Sequence, residues 1–324
     1  MKVAILDDYQ DVVRDLKCFD ILSEYEVEIF NTPAYGAELV GRLKDVEALV
    51  LIRERTVVDD ELLSNLPSLK LISQTGKISN HLDVDDCTRH KVAIAEGRGS
   101  PIAPSELCWS IIMASSRHIV PYVDNFQKGL WQSSGDLGLG RNLSGLTLGI
   151  WGYGKIGKRI AHYAQAFGME VLVWGRDASF ASAKKDGLRV AASKSELFAE
   201  SDVLSLQLRL NNDTRDCVTA GDLALMKKDA LLVNTSRAEL IEKDALYNAL
   251  KAGAPGFAAV DVYTEEPADA STERLMSLPN VLATPHLGYV EKNGYELYFH
   301  IAFENVVKFA QGQPENIANE SALT

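Results

Sequence analysis

The chain has 324 residues, 46% hydrophobic and 24% charged, which suits a folded globular protein of about two domains at roughly 150 residues each. Thirty-three Lys and Arg against 45 Asp and Glu leave a formal net charge of -12, a field that repels nucleic-acid phosphates and anionic membranes and argues against both as partners. No apolar stretch reaches the roughly 18–20 residues of a membrane-crossing helix.

The opening MKVAILDDYQ is apolar only as far as Asp7 and Asp8, too short for a signal-peptide core. Cys18, Cys87, Cys108 and Cys217 are scattered, without a CxxC pair or a histidine at metal-ligand spacing. Reduced thiols, a cytoplasmic location and no metal are therefore expected.

Short apolar runs then alternate with amphipathic stretches almost to the end, which predicts an α/β protein with doubly wound parallel sheets. In the first hundred residues the strand candidates are Val3–Leu6, Val27–Phe30, Ala48–Ile52, Leu69–Ser73 and Val92–Ala95, with helical patterns around Ala37–Lys44 and Asp59–Leu66. Leu107–Ile119 reads as one long apolar helix, entered through Pro101 and Pro104. Residues 131–145, rich in Gly and Ser, read as a surface loop. Six further strand candidates follow: Leu146–Trp151, Glu170–Trp174, Val203–Leu208, Ala230–Asn234, Phe257–Val260 and Val281–Thr284. Helical crossovers between them suit a Rossmann-type sheet. Glu291–Gln311 reads as a last helix.

The strand Leu146–Trp151 runs into Gly152-Tyr153-Gly154-Lys155-Ile156-Gly157 and then a helix. A GxGxxG pattern is weak alone, but between a strand and a helix each glycine has a task. Gly152 allows the tight turn, Gly154 lets backbone approach a pyrophosphate, and Gly157 lets helix and strand pack closely. The helix amino terminus then offers free N–H groups to the phosphates. The next strand candidate ends in Gly175-Arg176 where an NAD-type site carries an acidic residue. A guanidinium there favours the 2′-phosphate of NADP; the other reading leaves Arg176 in solvent and turns Asp177 toward a ribose. NADP is the expected coenzyme, with NAD possible.

Three later segments place polar residues just past strand candidates: Asn234-Thr235-Ser236-Arg237, Asp261-Val262-Tyr263-Thr264-Glu265-Glu266-Pro267 and Thr284-Pro285-His286-Leu287-Gly288. Ligands bind at the carboxyl ends of such strands. A guanidinium grips a carboxylate bidentately and polarises a carbonyl. An imidazolium donates a proton as hydride arrives, and a nearby carboxylate favours its charged form.

These motifs, in this order, resemble the D-isomer-specific 2-hydroxyacid dehydrogenases, the group that includes glyoxylate/hydroxypyruvate reductases and 3-phosphoglycerate dehydrogenases. The resemblance covers nearly the whole chain. It implies a Rossmann cofactor domain of residues 101–289 inserted in a flavodoxin-like substrate domain of residues 1–100, to which 290–324 return. It implies reduction of a small 2-oxo acid, or the reverse oxidation. Arg237 would bind and polarise the substrate, Glu266 would support the histidine and His286 would be the acid/base; Glu265 is the rival for Glu266. Thr235 and Ser236 would line the nicotinamide side, and Asp261 and Gly288 would belong to the cofactor site. A homodimer is also implied, with the Leu107–Ile119 region as candidate interface. A dinucleotide-sensing co-regulator on the same fold is the alternative function.

The first domain departs from the family. Many members read Gly-x-Gly in the substrate-carboxylate loop; this chain has Gly76-Lys77-Ile78, whose backbone N–H groups would still bind substrate. Lys77 either adds a charge for an anionic substrate or sits in solvent. Arg53 and Arg55 follow a strand candidate and are placed to reach a cleft. Tyr289 would narrow the substrate pocket, and Trp131 either crosses a dimer or anchors its own subunit.

Overall fold

A computed structural model describes residues 1–79 and 81–324; Asn80, in the segment after Ile78, lies outside the described residues. The chain divides into two units, Met1–Ser100 with Glu291–Thr324, and Pro101–Val290.

In the first unit five parallel strands, β1 (Lys2–Ile5), β2 (Glu26–Ile29), β3 (Ala48–Leu51), β4 (Leu71–Gln74) and β5 (Ala93–Ala95), lie in the order β2-β1-β3-β4-β5. This is the flavodoxin-like order. All four residues of β3 are buried, because a parallel strand covered on both faces must be apolar throughout. Helices α1 (Gly36–Leu43), α2 (Asp60–Ser64) and α3 (Val84–Arg89) connect the strands. Asp59 and Asp83 cap α2 and α3 by accepting backbone N–H groups. The terminal helix Lys292–Ala310, capped by Glu291, buries Phe299 and Phe303, and its Ala302 carbonyl accepts the Ser73 hydroxyl at 2.8 Å.

The second unit holds β6 (Thr147–Trp151), β7 (Glu170–Trp174), β8 (Arg189–Val190), β9 (Val203–Leu206), β10 (Leu231–Asn234), β11 (Phe257–Val260) and β12 (Val281–Ala283), all parallel, in the order β8-β7-β6-β9-β10-β11-β12. Read from β6 this is the Rossmann order with one strand added beyond β11. Alternate residues serve the two faces. Ile150, Val173, Val203 and Val233 join Cys108 and Ile112 on one side. Leu172, Leu204, Leu232 and Val260 join Phe198 and Leu246 on the other. Helices α4 (Ile102–Ser116), α5 (Ile119–Gln127), α6 (Lys155–Ala166), α7 (Asp177–Lys185), α8 (Lys194–Glu200), α9 (Ala220–Leu223) and α10 (Ala245–Ala252) complete it.

Three expectations need correction. The single helix over 107–119 is instead two, α4 and α5, broken at His118, whose φ of +50° lies outside helical space. The sheet has a seventh strand, β8, a two-residue edge strand with no apolar run to announce it. The strand expected over Val203–Leu208 stops at Leu206, so Gln207 and Leu208 belong to the loop beyond it.

Candidate active site

The glycine turn is built by close contacts. Gly152 leaves β6 with φ +103°, and a Cβ there would stand 2.3 Å from the Gln207 carbonyl oxygen. A Cβ on Gly157 would meet the Gly152 carbonyl oxygen at 2.4 Å, so α6 packs on the turn only without a side chain. Gly154 differs: open space surrounds its Cβ position. It is the N-cap of α6 and has no capping side chain, so the first-turn N–H groups face that space. Two glycines close the turn and one leaves it accessible, which fits a dinucleotide pyrophosphate.

The Tyr153 side chain turns inward. Its ring is 6% exposed within the apolar core, and its hydroxyl donates to Asp186 Oδ2 at 3.0 Å. Burial, with Asp186, pushes that phenol up to about 12. Its side chain therefore anchors the turn from beneath. Ile156 packs partly buried on the same core, while Lys155 is exposed. Arg176, at the N-cap of α7, is also exposed.

Past β10, Asn234 shapes the Arg237 loop. Its Oδ1 accepts the Ser236 N–H at 3.1 Å and its Nδ2 donates to the Arg237 carbonyl at 2.8 Å. The Ser236 hydroxyl donates to the Leu206 carbonyl at 2.8 Å, and Thr235 is half-buried. Arg237 is half-buried, with Nη1 donating to the Ser236 carbonyl at 2.6 Å.

Past β11 and β12 the chain brings Glu266 to His286. His286 Nδ1 lies 2.6 Å from Glu266 Oε2, while Glu266 Oε1 accepts the Tyr263 N–H at 3.0 Å. Burial alone would raise the Glu266 pKa. The His286 bond and charge, the Tyr263 N–H and the Arg237 guanidinium outweigh that and hold it below the usual carboxylate range. His286 has φ +51°, a conformation rare outside glycine and held here by its neighbours. Asp261, 1% exposed, supplies the restraint: Oδ1 accepts the Thr284 hydroxyl at 2.6 Å and the Leu287 N–H at 2.8 Å, and Oδ2 accepts the Gly288 N–H at 3.0 Å. Tyr263 adds a hydroxyl bond to the Thr284 carbonyl at 2.9 Å. Tyr289 is 7% exposed and meets the His286 ring edge-on, centroids 5.4 Å apart.

Residues 109–288 match the family model for the D-isomer specific 2-hydroxyacid dehydrogenase NAD binding domain. The chain belongs to the D-isomer-specific 2-hydroxyacid dehydrogenase family. It is 32% identical over 311 residues to the glyoxylate reductase of Thermococcus litoralis, covering 93% of this chain and 92% of that protein. A phosphoglycerate oxidoreductase from Vibrio cholerae is 59% identical with a TM-score of 0.95, covering 96% and 99%. A D-lactate dehydrogenase from Aquifex aeolicus, solved with NAD and lactic acid, is 26% identical with a TM-score of 0.78, covering 98% and 99%. These relatives bear enzyme names, and none favours the co-regulator alternative.

In the first unit of this 2-hydroxyacid dehydrogenase, Gly76, Lys77 and Ile78 follow β4. Glu96, which sequence reasoning missed, organises them: its Oε1 accepts the Ile78 N–H at 3.0 Å and its Oε2 pairs with the Lys77 ammonium. The Lys77 side chain is thus exposed and paired with Glu96. Among the described residues, the Gly76 and Lys77 N–H groups have no internal acceptor. Arg53, φ +57°, donates its N–H to Thr75 Oγ1 at 3.0 Å, and Arg55 lies over the Tyr9 ring at 4.6 Å. In the second unit Trp131 is 75% exposed with an edge contact to Phe126, so it does not anchor its own subunit by burial. Glu265 is exposed and Glu266 is the carboxylate that holds His286.

Proposed function

We propose that this dehydrogenase reduces a small 2-oxo acid, of the size of glyoxylate or hydroxypyruvate, to its D-2-hydroxy acid. The observation that carries the reading is the 2.6 Å His286–Glu266 pair at the carboxyl end of the sheet that also bears the glycine turn. A reduced nicotinamide bound at the glycine turn would supply the hydride for substrate C2. With Nδ1 held by Glu266, His286 gives the proton on Nε2 to the carbonyl oxygen, so one hydride and one proton make the alcohol. Arg237 binds the carboxylate and draws charge toward the carbonyl oxygen. In the first unit the Gly76 and Lys77 N–H groups are the candidates for binding a substrate carboxylate, the Ile78 N–H being taken by Glu96. Asp261 Oδ2 accepts one backbone donor and keeps a lone pair suited to the nicotinamide carboxamide. The His286 loop that Asp261 fixes would keep that ring steady.

NADPH is the preferred coenzyme in this reading. Arg176 is exposed where an NAD site places a carboxylate, and a 2′-phosphate would bind it with charge-assisted hydrogen bonds. Helix α5 has no buried residue and exposes Ile119, Val123 and Phe126, with Leu130 and Trp131 just beyond. A second copy covering this surface would make the homodimer. The expected interface accordingly moves from Leu107–Ile119, whose Cys108, Ile111 and Ile112 are core residues, to α5 with Leu130 and Trp131. The test is a panel of 2-oxo acids with NADPH and NADH: turnover of glyoxylate or hydroxypyruvate supports the function, and no turnover of any 2-oxo acid with either coenzyme refutes it. Sedimentation velocity showing only monomer would refute the dimer.

A further inference from the structure

The strands around the glycine turn each lead to a cation: β6 to Lys155, β7 to Arg176, β9 to Arg209 and β10 to Arg237. Arg209 is the one that the proposed chemistry leaves unused. Trp151 is in register with Trp174 on one side and Leu206 on the other, so Gly152, Gly175 and Gln207 leave the sheet at one level. The Gly152 N–H donates to the Trp174 carbonyl at 2.9 Å and the Gln207 N–H to the Trp151 carbonyl at 2.8 Å, which locks the three loops side by side. β7 and β9 stand two strand spacings apart, about 10 Å. Two arginine side chains rising from either side of such a gap can meet on one small anion.

The Arg209 backbone is held firmly. Its carbonyl accepts the Thr214 hydroxyl at 2.7 Å, that hydroxyl oxygen accepts the Asn211 N–H at 2.9 Å, and Asn211 Oδ1 accepts the N–H groups of Asp213 and Thr214. Both guanidinium groups are exposed, and among the described residues neither has an ion-pair partner. In a chain of net charge -12, two such cations flanking a phosphate cradle call for a doubly charged ligand. The α6 amino terminus serves the pyrophosphate, and a single guanidinium leaves a dianionic 2′-phosphate half neutralised.

We propose that Arg209 is a second coenzyme-specificity residue, which grips the 2′-phosphate of the adenosine ribose opposite Arg176. This rests on the NADPH reading. The test is calorimetry on the full-length protein with adenosine 2′,5′-bisphosphate and adenosine 5′-monophosphate. The wild type is expected to select the bisphosphate. Arg209→Ala should weaken the bisphosphate about 10- to 150-fold and leave the monophosphate unchanged. Arg209→Lys, which keeps the charge without the planar fork, should recover part of the loss. A wild type that selects the bisphosphate, with an Arg209→Ala variant that selects it equally well, overturns this proposal alone. Equal weakening of both ligands would also overturn it, by assigning Arg209 to the common adenosine 5′-phosphate. A wild type that does not distinguish the ligands removes the NADPH reading and this proposal together.

Discussion

Glu266→Gln changes one charge at the centre of the site and leaves the shape nearly intact. Wild-type Glu266 gives one oxygen to His286 Nδ1 and the other to the Tyr263 N–H. A glutamine has only one oxygen, so one of these donors must face its amide NH2. That lost bond costs about 1–3 kcal/mol, and melting temperature will register it. The electrostatic part is separate. Two unit charges 2.6 Å apart attract by about 1.6 kcal/mol even at the dielectric constant of water, and each pH unit is worth about 1.36 kcal/mol. Both side chains are less than a third exposed, so this is a lower bound for the attraction. Reduction needs the protonated imidazole and falls as pH rises; oxidation needs the neutral ring and rises with pH. Without the carboxylate the protonated ring loses that attraction, so reduction should weaken relative to oxidation at any given pH. Glu266 itself is held below the usual carboxylate range, so its charge is in place near neutral pH. The assay is kcat/KM against pH in both directions. Profiles that coincide with those of the wild type would refute the pairing and return the role to Glu265.

The same geometry yields three further expectations. Arg237→Lys should lower kcat/KM for the 2-oxo acid at least about tenfold, since an ammonium lacks the two-pronged fork; near-normal steady-state kinetics would remove Arg237 as the clamp. Asp261→Asn should place an amide NH2 against at least one of its three donors, destabilise the protein by about 1–3 kcal/mol and lower kcat through a loosened His286 loop; unchanged melting and kcat would contradict the strut. Arg176→Ala should cost about 10- to 150-fold in kcat/KM for NADPH and far less for NADH, with equal losses refuting the phosphate contact. Gly175→Asp is a poorer probe of that contact, because its Cβ would meet Ser179 Cβ at 2.9 Å.

The sheets were legible because covered parallel strands must be largely apolar along their length, as Ala48–Leu51 is throughout and Val203–Leu206 is but for Ser205. β8 escaped because an edge strand of Arg189 and Val190 has no such run. The α4–α5 break escaped because Leu107–Ile119 holds no glycine or proline to announce it, and a single left-handed residue leaves no mark on hydrophobic periodicity. Within the site, His286 and Glu266 were visible from the resemblance of their segments to the family's motifs. Where the Tyr153 ring packs was not legible, because its place between two motif glycines says nothing of it. Glu96 has no motif, and its hold on Lys77 and Ile78 exists only once β4 and β5 lie side by side. Arg209 belongs to no motif, and its place across from the Arg176 loop exists only once β7, β6 and β9 lie side by side.

The central claim is that His286 delivers the proton while hydride reaches C2. It is tested most directly by comparing wild type and His286→Asn in kcat for hydroxypyruvate reduction, alongside the dissociation constant of NADPH for each. The expected result is a kcat about 10²- to 10⁴-fold lower with coenzyme affinity preserved. A loss below about tenfold, with the chemical step shown to limit the rate, would contradict it.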